Sequence, residues 1–155
     1  MLLNIEYRLT GTGWASCKLV SEDSSCLISA SYLSDSLYKL VLSAISVCVG
    51  VNRISFGFDE EPGEFRWVIK HVEINEIEIQ IRSFKELWSG KPDEDGEVLF
   101  QTRCRPITFA KLVHATAKVI LDDIGETGYL EKWAEHPFPS MQFLELSRLI
   151  TELPD

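Results

Sequence analysis

The chain has 155 residues, 45% hydrophobic and 25% charged, a balance that excludes intrinsic disorder and a length that buries roughly two-thirds of the unfolded surface without disulfides. Fifteen basic against 24 acidic residues leave a net charge of −9, which sets most of the surface against nucleic-acid duplexes and anionic membranes and favours a basic partner. Cys17, Cys26, Cys48 and Cys104 form no C-x-x-C pair, so neither a zinc nor a redox spacing is present and the thiols read as small core residues.

The start, MLLNIEYRLT, carries neither a basic leader nor an unbroken apolar stretch, so it reads as a first strand and the expected compartment is the cytoplasm. Leu3, Ile5, Tyr7 and Leu9 alternate with polar neighbours; Gly11 to Gly13 make a turn, and Trp14 to Val20 and Cys26 to Tyr32 supply two more strands. Ser34 or Asp35 then caps a helix with Leu37, Leu40, Val41, Ala44 and Cys48 inward, stopped by Gly50. Lys39, Ser43 and Ser46 interrupt its apolar run, which is short of the roughly 18 residues of a membrane span, and the narrow polar stripe predicts cover on more than one side.

A second β block follows at Arg53 to Phe58, Glu64 to Val72, Glu76 to Phe84 and Glu97 to Arg105. In it the stretch EIEIQIR, residues 76–82, predicts Ile77, Ile79 and Ile81 facing the helices while Glu76, Glu78 and Gln80 face water. Residues 89–96, SGKPDEDG, read as a loop. A helix from about Ile107 to Ile124, a break at Gly125 and Gly128, a short helical turn at Tyr129 to Ala134 and a last amphipathic helix from Ser140 to Leu153 complete the chain. The order βββ-α-ββββ-αα lacks the alternation of parallel sheets, so the predicted fold is one α+β domain over residues 1–155. It has an antiparallel sheet of about seven strands with the helices on one face.

Residues 56–67, FGFDEEPGEFRW, set Asp59, Glu60, Glu61 and Glu64 around a Pro-Gly turn. A hairpin tip is solvated, whereas catalytic carboxylates need an environment that perturbs their titration, so these acids read as partner-facing. A second acidic projection is Asp93, Glu94 and Asp95. A nucleophilic arrangement can be drawn from Cys104, His114 and Asp122, but no local signature supports it, and His114 between two lysines reads as solvated. His71, His114 and His136 have no metal-ligand spacing. Arg66, Lys70 and Arg82 beside Trp67 could form a nucleic-acid platform, yet Glu76 and Glu78 on the next strand can neutralise them. Trp133 to Phe138 reads as a structural seam.

The acidic EPG hairpin, the F-R-W strand, Cys104-Arg105-Pro106-Ile107-Thr108-Phe109-Ala110 and W-x-x-H-P-F-P near the C-terminus resemble a group of small bacterial proteins. Some of these are similar to immunity proteins of polymorphic-toxin and contact-dependent growth inhibition systems. The resemblance implies a cytoplasmic, non-catalytic protein that binds a cognate toxin, often a basic nuclease. Charge and the missing catalytic signature point the same way, with no cofactor, metal, nucleic acid or membrane expected. The alternatives are a small enzyme with a loop-assembled site and a structural or regulatory adaptor.

Overall fold

A computed structural model describes residues 2–134 and 136–154, and its elements follow the expected order. Strands β1 (Leu3–Gly11), β2 (Trp14–Ser21) and β3 (Ser25–Ser31) form one antiparallel sheet. Strands β4 (Arg53–Asp59), β5 (Glu64–Glu73), β6 (Glu76–Phe84) and β7 (Glu97–Cys104) form a second. The helices are α1 (Ser36–Cys48), α2 (Pro106–Trp133) and α3 (Ser140–Glu152). The seven antiparallel strands of this α+β fold therefore divide three and four. No backbone ladder joins β3 to β4; two serine hydroxyls do instead. Ser31 Oγ donates to the Asp59 carbonyl at 3.0 Å, and Ser34 Oγ accepts from the Asp59 N–H at 3.1 Å.

Helix α1 packs against α2, α3 and β4, which explains its narrow polar stripe. Even Ser36 and Ser43 are buried, with Ser36 Oγ 2.6 Å from the Tyr7 hydroxyl and Ser43 Oγ donating to the Leu40 carbonyl at 2.7 Å. Asp35 occupies the N-cap position without a side-chain capping bond, because Ser34, the other capping candidate, is spent on the β4 seam. Helix α2 lies along β1, where Thr116 Oγ1 accepts the Tyr7 N–H at 2.8 Å and satisfies an edge group that water would otherwise have to serve. Its helical path kinks at Gly125 (φ 67°, ψ −178°) and resumes through Trp133, so the break expected after Ile124 is a kink.

The core is aromatic where the second sheet meets the helices. Phe56 stacks on Trp67 at 5.6 Å, and Phe58 and Phe109 lie 5.5 and 6.5 Å from the same indole. Ile77, Ile79 and Ile81 are fully buried, which fixes the predicted register, each side chain contributing about 1.5–3 kcal/mol by burial. Glu78 departs from expectation. It is only 6% exposed, roofed on the outer face by Lys70 at 3.7 Å, Arg103 at 3.5 Å and the Gln101 amide at 3.2 Å. Trp133 and Phe138 are buried, as a seam requires; Glu135 between them lies outside the described residues. Among the described residues no helix is long and apolar enough to cross a membrane.

Candidate functional site

The β4–β5 hairpin and the segment 85–96 after β6 form one surface. The Leu87 N–H donates to the Pro62 carbonyl at 2.8 Å, and the two chains approach so closely that a Cβ on Gly63 would lie 2.5 Å from the Phe84 carbonyl oxygen. Glycine is the residue that permits this contact. From there the segment folds back over the outer face of the second sheet, pinned by Arg66 and Asp93.

Arg66 is the hub. Its Nε and second terminal nitrogen take both oxygens of Glu64 at 3.0 and 3.1 Å. Its remaining nitrogen donates to the Lys91 carbonyl at 2.7 Å and to Asp93 Oδ1 at 3.1 Å, while the guanidinium carbon sits 3.9 Å from the centre of the Phe84 ring. Such a fork uses the planar geometry that arginine has and lysine lacks. The Glu64 hydrogen bonds, ahead of an opposing desolvation, raise the guanidinium above its ordinary range. Asp93 also accepts from Arg53 at 2.9 Å and from the Ser55 hydroxyl at 2.9 Å. Desolvation pushes this carboxyl up, but the bonds from Arg53, Ser55 and Arg66 outweigh it and hold Asp93 below the usual carboxylate range.

The seven acids singled out from the sequence therefore separate into two sets. Glu64 (8% exposed) and Asp59 (7% exposed) are buried, against the expectation of a fully solvated tip. Glu64 is clamped by Arg66, and Asp59 takes the Trp88 indole N–H on Oδ2 at 3.1 Å as well as both serine contacts of the β3–β4 seam. Asp93 is bound into the sheet. Glu61, Glu94 and Asp95 are exposed and Glu60 half-buried; these face outward, the first pair at the hairpin tip and the second on the folded-back loop.

Asp59 also explains a residue the sequence did not single out. Trp88 is 72% exposed, yet its indole N–H is bonded to Asp59, and the adjacent Leu87 N–H bonds the Pro62 carbonyl of the tip that carries Glu60 and Glu61; Glu86, Lys85 and Lys91 belong to the same segment in sequence. A large, rigid, exposed indole is unusual on a surface that needs only to be soluble. The available signal was an aromatic in K-E-L-W-S-G just past Phe84, where the strand's alternation ends.

The groups that could have carried chemistry are occupied or suppressed. Burial pushes the Cys104 thiol up to about 12 and the Cys26 thiol up to about 11, and raises Cys17 still further, so none supplies thiolate near neutral pH. His114 is not solvated: its ring stacks on Phe143 at 4.7 Å, and its Nε2 pairs with Ser147 Oγ at 2.8 Å. Burial and then Lys118 lower it below the ordinary histidine range. Asp122, drawn from the sequence as its orienter, pairs with Lys118 at 2.6 Å. The nucleic-acid platform is also taken up internally, Arg66 by Glu64 and Asp93, Lys70 by Glu78, and Arg82 by Gln80 at 3.0 Å and the Gly96 carbonyl at 2.9 Å. No group of three or more metal-ligating side chains occurs among the described residues.

No family model and no curated protein matches the chain. Among solved structures it is similar to a chain of the CdiA-CT/CdiI toxin and immunity complex from Enterobacter cloacae, at 14% identity and a TM-score of 0.46, over 76% of this chain and 99% of that one. At that level the likeness carries no argument, and the functional reading rests on this chain's own residues.

Proposed function

We propose that the protein is a non-catalytic, cytoplasmic binding protein that neutralises a cognate basic toxin, of the nuclease type, by direct contact through Glu60, Glu61, Glu94, Asp95 and Trp88. One observation carries this reading: Trp88 is exposed and its indole N–H is bonded to Asp59 at the base of the acidic hairpin tip. Indole anchors dominate the energy of many protein interfaces, and surrounding acids steer a basic partner without themselves supplying much affinity. Asp59, Glu64 and Asp93 act one step back, holding the tip and loop in the shape that displays the outward groups. The net charge of −9 and the resemblance of the hairpin and tail motifs to immunity proteins support the same assignment.

The test is co-expression with the product of a toxin-like reading frame, sought immediately upstream of this gene. Growth arrest by that product should be relieved, and the purified pair should form a stable complex. Trp88→Ala should weaken the complex by about 2 kcal/mol or more, roughly 30-fold, without unfolding a chain whose indole contributes little to the core. Persistent arrest together with no complex in solution would overturn the assignment.

A further inference from the structure

A second recess lies at the same end of the molecule. Its volume is about 380 Å³, near the lower end of the roughly 300–1,000 Å³ typical of ligand sites. Buried Phe138 lies beneath it, and Pro137, Tyr38, Met141, Asp35 and Glu126 are among the residues that line it. The floor is rigid: Phe138 meets Tyr129 edge-on at 5.6 Å and Phe143 at 5.7 Å.

The two acids are under-compensated. Asp35 Oδ1 is buried without a hydrogen-bond partner, and Oδ2 has His136 Nδ1 at 3.7 Å. Lys39, the nearest permanent cation in sequence, turns its Nζ to the Gly57 carbonyl at 3.3 Å. Desolvation raises the Asp35 carboxyl above its ordinary value, and His136, the Tyr38 backbone N–H and Lys39 offset this only in part. Glu126 Oε1 accepts from the Ser140 hydroxyl, and it forms no ion pair among the described residues.

We propose that this groove receives an arginine side chain of the basic protein partner, its stem on Pro137 and Phe138 and its guanidinium between Asp35 and Glu126. Aromatic and proline surfaces accept the flat, weakly hydrated guanidinium, and two carboxylates lining one groove offer acceptors for its several donors. The groove and the Trp88 surface are tied to one buried seam: Ser34, which neighbours Asp35, bonds Asp59, the residue that holds Trp88. An indole anchor presented by this chain would thus be matched by an arginine anchor presented to it.

The inference depends on the toxin-binding assignment only for the source of the arginine, so it can be measured without a toxin. The ¹⁵N-labelled protein is titrated with Nα-acetyl-arginine methylamide, with the norleucine analogue as a neutral control. Saturable shifts are expected at the amides of Asp35, Tyr38, Phe138 and Met141, with a Kd of roughly 1–10 mM, corresponding to about 3–4 kcal/mol. Norleucine should give none. Asp35→Asn with Glu126→Gln should weaken the arginine probe at least about tenfold. Should that pair fail to fold, Met141→Lys, at an exposed position of α3, places an ammonium in the groove and should abolish probe binding with both acids intact. Trp88→Ala should leave the titration unchanged. Equal shifts with norleucine, or non-saturating shifts spread over Glu61, Glu94 and Asp95, would overturn the groove. Failure here with toxin rescue intact removes the groove alone, and a working groove without toxin rescue removes the toxin assignment alone.

Discussion

Asp93 accepts from two strands that its own segment merely crosses, so its carboxylate converts a polar loop into a strap over the sheet. Its folded value lies below the ordinary one, so the stabilisation is complete above about pH 4 and is lost as pH falls through the folded value. Asp93→Asn should cost about 1.5–3 kcal/mol at pH 7, the range for hydrogen bonds to charged groups. The deficit should shrink in urea melts as pH is lowered below about 4, where the unfolded carboxyl protonates first; an equal deficit at every pH would show that charge is not the source. His114 has the same sign for the opposite chemistry. It is held neutral below its ordinary value by burial and Lys118, so the folded state is favoured above about pH 6.5 and loses this contribution as pH falls. His114→Gln, which retains a polar partner for Ser147, should reduce the drop in melting temperature between pH 8 and pH 5.

At the scale of elements, the kink in α2 has a single cause that can be tested. Gly125 holds φ 67° with ψ near 180°, a conformation essentially confined to glycine, and a Cβ there would meet nothing within 4 Å. Gly125→Ala should therefore lose about 1–3 kcal/mol through backbone strain alone, whereas Gly11→Ala, with equally open space and no positive φ, should be close to neutral. Unchanged melting of the Gly125 variant would mean that the kink is free to straighten. This break was legible in the sequence because glycine signals act locally, and the strands and helices were legible because their periodicities do. The division into two sheets was not, since it depends on Ser31 and Ser34 meeting Asp59 across more than twenty positions. The same reason hid the Arg66 hub. Its partners Glu64 and Phe84 are supplied by strand pairing, but Asp93 and the Lys91 carbonyl arrive only because a loop folds back. Of the acidic motif, the sequence conveyed composition and turn; which carboxylates face inward was decided by partners that only the folded chain supplies, Arg66 for Glu64 and Asp93 and the Trp88 indole for Asp59.

Over the whole molecule, charge and anchoring are separable because different residues carry them. The outward acids Glu60, Glu61, Glu94 and Asp95 have little part in the core, while Asp59, Glu64 and Asp93 are structural, so charge reversal must spare the second set. Converting the four outward acids to lysine adds eight charges and takes the net charge from −9 to −1. Long-range attraction acts on encounter, so the association rate with a basic toxin should fall by about tenfold or more at low salt. Wild type and variant should converge near 1 M salt, where the screening length is about 3 Å. Trp88→Ala should behave differently, raising the dissociation rate with little change in the salt slope, because an indole acts only after contact. Stopped-flow association at two salt concentrations, with dissociation followed by competition, separates the two effects. If charge reversal leaves both the rate and its salt dependence unchanged while Trp88→Ala still speeds dissociation, the carboxylates only solvate the tip and the indole alone marks the interface. If neither variant differs from wild type, the proposed Trp88 and acidic surface is not the interface.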